Sequence, residues 1–134
     1  ALSDAQSLAL GADHAYIEPA HLVMSMLKQD DGPRALLMRA GVNINGLLKD
    51  CEEALSKLPK VQGQEQVQVS RDLVTLLQAA EKDAIKRGDQ FIASEMFFVA
   101  LADAKSELAS SAKSHGLNKP TLLKAIEAAL RVSD

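Results

Sequence analysis

Laid over itself with a shift of 75 residues and no gap, the sequence matches itself in two separate places. Ile17 falls on Ile92, so that HAYIEPAHLVM lies over DQFIASEMFFV, with Tyr16 on Phe91 and Leu22 on Phe97. Further along, GVNINGLLKDCEEAL lies over GLNKPTLLKAIEAAL. There Gly41, Asn43, Leu47, Leu48, Lys49, Glu52, Ala54 and Leu55 each meet an identical residue. One offset serving both regions marks a tandem duplication. No other feature restricts the fold as much, because each unit alone is short for a good core, whereas two packed together share one. The expected architecture is all-α: two repeats of four helices related by a pseudo-twofold axis, in a single domain over 1–134. Repeat one is read as 1–58, the connector as 59–69 and repeat two as 70–134.

Helix punctuation supports this division. Leu2 to Leu10 reads as a helix closed by Gly11, and Pro19 suits the first position of the next. Gly32-Pro33 opens a short helix ending at Gly41. Asn43 is the expected N-cap of a longer one, with Ile44, Leu47, Leu48, Cys51, Leu55 and Leu58 on one stripe. LPKVQGQEQVQVS then loses the helical period. Val67 and Val69 alternate as in a strand, but so short a strand has no evident partner, and Pro59 to Val69 is read as a connector. Ser70 caps a helix from Arg71 to Arg87 that Gly88 stops, with Leu73, Leu76, Leu77, Ala80 and Ala84 on its stripe. Ser94 and Ser106 open two more, and Asn118 and Pro120 the last.

The charge pattern argues against several functions. A net charge of −3, with basic residues scattered singly or in pairs, gives no electrostatic footprint for nucleic acid. Four aromatic residues offer no stacking platform. No apolar run approaches the roughly 20 residues of a membrane span. A single cysteine cannot make an internal disulfide. Cys51 falls on Ile126 under the repeat shift, and so reads as a small core hydrophobe. His14, His21 and His115 are the only histidines; His14 and His21 are separated by the break at Pro19, and a zinc site is not expected. Asp30-Asp31-Gly32 lacks the rest of a calcium loop, and no serine has a nominated His and acid partner.

The segments LSDAQSLALG, YIEPAHL, AGVN, LSKLPKVQG, SRDLV and KRGDQFIASEMFF, in that order over essentially the whole chain, resemble the Clp N-terminal double-repeat family. The likeness is strongest to the domain that opens ClpB-type disaggregases. It implies a mobile module that engages unfolded or aggregated polypeptides. The parent would be a homohexameric ATP-driven threading machine working with a DnaK-type chaperone in the cytoplasm. No G-x-x-x-x-G-K-[ST] phosphate loop is present, so ATP and Mg would belong to the parent, and this domain is expected to be non-enzymatic and to need no cofactor. The chain opens on Ala1 rather than Met, which leaves the source compartment open. An adaptor-docking domain of a proteolytic Clp ATPase is the alternative reading.

By the same resemblance, the apolar substrate groove maps onto Ala79, Asp83 and Met96, and an acidic pair tied to function maps onto Asp89 and Glu95. Asp83 is charged where the family is apolar, so the groove is expected to be shallower or displaced. Relatives that read phosphorylated arginine carry a Glu in each repeat; here Glu95 has Ala20 as its counterpart, which argues against that ligand. The run Met96 to Ala102 is apolar all round. One reading covers this helix on every side within the bundle, which suits Phe98 and Val99. The other leaves an adaptable apolar patch at Met96, because Met96 falls on the polar His21 and the repeat gives it no core role. The expected site is therefore Ala79, Asp83, Met96 and Phe98, with Asp89 and Glu95 on its rim.

Overall fold

The computed structural model describes residues 2–29, 33–61, 63, 66–88 and 93–133, with backbone alone for 93 and 130–133. In chain order the elements are α1 (Leu2–Gly11), β1 (Tyr16–Ile17), α2 (Pro19–Leu27), α3 (Pro33–Arg39) and α4 (Ile44–Ser56). They continue with β2 (Gln68–Val69), α5 (Arg71–Arg87), α6 (Ala93–Asp103), α7 (Glu107–Ser114) and α8 (Lys119–Ser133).

The helices start where side chains can take up the otherwise unpartnered first-turn amides. Asn43 accepts from Gly46 N–H at 3.1 Å, Ser70 from Leu73 at 3.2 Å, Ser106 from Ala109 at 3.1 Å and Asn118 from Thr121 at 3.1 Å. Pro19 begins α2 after an extended Glu18. Gly88, at φ 107°, turns the chain out of α5.

The bundle has the reciprocity that a twofold relation demands. Under the repeat shift α3 corresponds to α7 and α4 to α8, and both cross-repeat pairs occur: α4 packs on α7, and α3 on α8. Gly41 and Gly116, equivalent positions with φ of 85° and 102°, meet where the repeats join. A Cβ on Gly116 would lie 2.8 Å from the Gly41 carbonyl oxygen. Beside them Asn43 N–H donates to the His115 carbonyl at 2.8 Å, and His115 Nε2 lies 2.8 Å from Asp50 Oδ2.

Two findings correct the sequence reading. The connector contains a strand after all: Gln68 and Val69 pair in parallel with Tyr16 and Ile17. The partner lies some fifty residues upstream and is itself only two residues long, too short for any pattern to mark. Met96 is also wholly enclosed, at 0% exposure, as are its neighbours Phe97, Phe98 and Val99 at 1% each. The reason lies in its counterpart. His21 is equally buried at 0%, so the repeat had assigned that position to the core all along. Helix α6 is covered by α5, α7 and α8, which explains why Met96 to Ala102 is apolar all round, and α2 is covered by α1, α3, α4 and α5, which buries even its polar His21 and Ser25.

Candidate functional site

The face shared by α5 and α6 carries the first candidate site. Thr75, Leu76, Ala79 and Asp83 stand along α5, opposite Val99, Ala100 and Asp103 of α6, and Lys119 closes the far side. Together they bound an open cleft of about 430 Å³. Ala79 is exposed and Asp83 half-buried, whereas Val99 forms floor rather than rim. The charges are already matched within the chain. Asp83 Oδ1 accepts from Arg87 Nε at 3.0 Å, one helical turn on, and Asp103 Oδ2 from Lys119 Nζ at 2.6 Å. The cleft therefore offers a surface of small and medium apolar side chains whose rim charges are neutralised.

Of the six site residues expected from sequence, Ala79 and Asp83 come together here. Met96 and Phe98 do not reach the surface. They belong to the core beneath, where Phe98 packs edge-on to Phe97 with ring centroids 5.6 Å apart. Glu95 sits half-buried in the first turn of α6, and burial pushes its carboxyl above the ordinary value. Asp89 lies outside the described residues.

A second concavity gave no signal in the sequence. Where the repeats meet, the end of α4, the starts of α2 and α5 and the α6–α7 turn enclose a groove of about 450 Å³. Leu55, Leu58, Leu76 and Leu108 supply its apolar wall. Only the apposition of the repeats creates it. Leu58 fell on the core stripe of α4 in sequence, yet it is half-buried and faces this groove.

The remaining reactive groups are held in structural roles. His14 Nδ1 lies 2.8 Å from His21 Nε2, and His21 Nδ1 accepts the Glu18 N–H at 2.8 Å. With Nδ1 occupied as an acceptor, His21 must carry its proton on Nε2 and donate it to His14. Burial, with His14 alongside, lowers His21 to about 4. The loop before α2 brings the two rings together, although no helical face holds both. Cys51 is fully buried, and burial, aided by Asp50 and Glu52, pushes its thiol up to about 12, a value that keeps it protonated and inert. Among the described residues no group of three His, Cys, Asp or Glu side chains is placed to hold a metal, and no helix is long and apolar enough to cross a membrane.

Residues 1–115 match the family described as the Clp repeat (R) N-terminal domain. The chain is 44% identical over 128 residues to the chaperone protein ClpB of Pseudomonas putida, covering 94% of this chain and 15% of that protein. It is 43% identical over 129 residues to ClpB of Vibrio cholerae, covering 95% of this chain and again 15% of the relative. It thus spans about a seventh of the curated relatives it matches. Among solved structures, the Hsp104 N-terminal domain from Candida albicans superposes with a TM-score of 0.75 at 18% identity, covering 93% of this chain and 83% of that one. A structure from work on the ATPase ClpV and the TssB–TssC sheath of type VI secretion superposes at 0.66 and 18% identity, covering 99% and 81%. At that identity the likeness is one of fold.

Proposed function

The chain belongs to the Clp repeat N-terminal domain family, and from that membership we propose that it is the polypeptide-engaging domain of a ClpB-like disaggregase. In this reading it is a non-enzymatic module. It binds exposed apolar segments of unfolded or aggregated proteins and presents them for ATP-driven threading by the rest of a cytoplasmic homohexamer, which works with a DnaK-type chaperone. ATP and Mg act elsewhere in the parent. The observation that carries the reading is the α5–α6 cleft, an open apolar surface whose rim charges are paired off by Arg87 and Lys119. Such a surface has little to select one sequence over another.

Its binding is weak by design. Covering about 300 Å² of apolar surface gives a gross gain of roughly 7 kcal/mol at about 25 cal/mol/Å². The loss of free motion on association offsets much of that. Several copies acting on one aggregate then supply the avidity that one lacks.

The test is titration of the isotope-labelled chain with an unstructured model substrate, followed by NMR. Amide shifts are expected at Ala79, Asp83, Val99 and Ala100, and Ala79→Glu, on an exposed position, is expected to weaken them while leaving the melting curve unchanged. A silent cleft together with tight binding of a folded adaptor would favour the adaptor-docking reading. The likeness to a ClpV-related structure, a different Clp ATPase, keeps that reading in view.

A further inference from the structure

The α5–α6 cleft does not end at Leu76. Thr75, Leu76 and Ala104 line both the cleft and the inter-repeat groove, so the two concavities form one continuous trough crossing α5 near its start. We propose that the inter-repeat groove is a second subsite of this trough, taking the stretch of an extended polypeptide in which apolar residues stand next to an Arg or Lys. The inference rests on the cleft being a polypeptide site and assigns the adjoining groove a distinct preference.

The two parts of the trough differ in charge. In the cleft, Asp83 and Asp103 are each satisfied by a cation of the same chain, at 3.0 Å and 2.6 Å. In the groove, Glu18, Asp72 and Glu107 surround the apolar wall with Lys105 as the one basic lining residue. Among the described residues none of those three carboxylates is in an ion pair. Asp72 and Glu107 stand in the first turns of α5 and α7, where a helix dipole tolerates negative charge. Ser70 and Ser106 already cap those helix ends. Asp72 and Glu107 are therefore left at the groove with no ion-pair partner among the described residues, while Glu18, in the capping box that opens α2, adds a third carboxylate to the rim. A segment lying along the trough can bury apolar side chains against Leu55, Leu58 and Leu108, and Arg and Lys do so with their own methylene stems while their heads stay at the acidic rim. Apolar contact supplies the affinity, and the rim selects what may flank it.

The experiment uses two unstructured synthetic peptides with one apolar sequence, flanked by Arg in one and Glu in the other, titrated into the labelled chain. The Arg-flanked peptide is expected to shift Leu58 and Leu108 as well as Ala79 and Ala100. It should bind about fivefold more tightly than its Glu-flanked twin at low salt, the worth of two or three exposed charge contacts. Molar salt should erase the difference. Asp72→Asn combined with Glu107→Gln, both exposed and near-isosteric, should abolish the preference while lowering the melting temperature only slightly, through the loss of two charges that favour the helix dipoles. If both peptides shift the cleft while Leu58 and Leu108 stay still, the groove is no subsite and the cleft reading survives. If neither peptide shifts any residue of the trough, the cleft reading falls and this inference with it. Occupation of the groove by a folded protein alone would also overturn it.

Discussion

His21 and Met96 occupy the same place in the two repeats, and both are shut away from solvent. Repeat one fills the position with an imidazole that needs a ring partner and a backbone donor, His14 and Glu18. Repeat two fills it with a thioether that needs only close neighbours. At this position the two copies share burial and differ in chemistry. A polar residue in one copy is no sign that the other copy's residue faces water. The polar copy is stable because every buried nitrogen it places is hydrogen-bonded.

The largest test of this comparison is Met96→Ser. Repeat two has no prepared partner for a hydroxyl there, so the lost volume and the buried polar group should together cost about 4 kcal/mol in denaturant unfolding. Unchanged stability with lost polypeptide binding would mean that Met96 is reachable after all.

Next comes acid. His21 has an ordinary value of 6.5 and is lowered to about 4 in the folded chain. The folded state therefore refuses a proton that the unfolded chain accepts. This contribution is intact above about pH 6.5, erodes as pH falls towards 4, and levels off below. Roughly 3 kcal/mol should be lost across that window. His21→Met, which imports the repeat-two solution, should flatten the slope there, while lowering stability at neutral pH because Glu18 N–H loses its acceptor. An unchanged pH profile in that variant would remove His21 as the source.

A smaller contrast separates the two glycines at the join. Both have positive φ, so alanine strains either. Only at Gly116 would the new Cβ also meet backbone, the Gly41 carbonyl oxygen at 2.8 Å, whereas at Gly41 nothing lies within 4 Å. Gly116→Ala should therefore cost about 2 kcal/mol more than Gly41→Ala in thermal unfolding. Equal costs would show that the close approach relaxes freely.

The smallest effect is expected at Glu95, whose counterpart is the buried Ala20. Burial raises its carboxyl, so the ionised form is the disfavoured one in the fold. Its contribution is fully present below the ordinary carboxyl range and is lost as pH rises through the folded value. Glu95→Gln should be slightly more stable than the parent chain at neutral pH, with the gap closing in acid. A gap that widens in acid would reverse the sign of this account.

The sequence made the helices legible because their signals are local. Asn43, Ser70, Ser106 and Asn118 announce their caps by residue type and by spacing from the next apolar stripe, and all four make the cap bond. The apolar circumference of α6 was legible as well, though its meaning depended on neighbours that no local window contains. What escaped reading is made by distant segments meeting. The β1–β2 pair joins two dipeptides, the His14–His21 contact spans a turn between elements, and the inter-repeat groove exists only once α4 and α7 come together. Ala79 and Asp83 came from the family resemblance, and the α5–α6 cleft does hold both, one turn apart on α5. Met96 came the same way and does not line it, because the depth of α6 decides whether Met96 or Ala100 reaches the cleft.

The contact between His115 and Asp50 occurs once, for the positions matching them in the other copy are Ala40 and Ala125. Two identical chains docking through a twofold would have to make every such pair twice or not at all. Covalent fusion lifts that obligation. Each face of the join can mutate alone while its mate stays tethered at high effective concentration. The lopsided contact thus shows what linkage permits: the two faces of the join need not mirror each other.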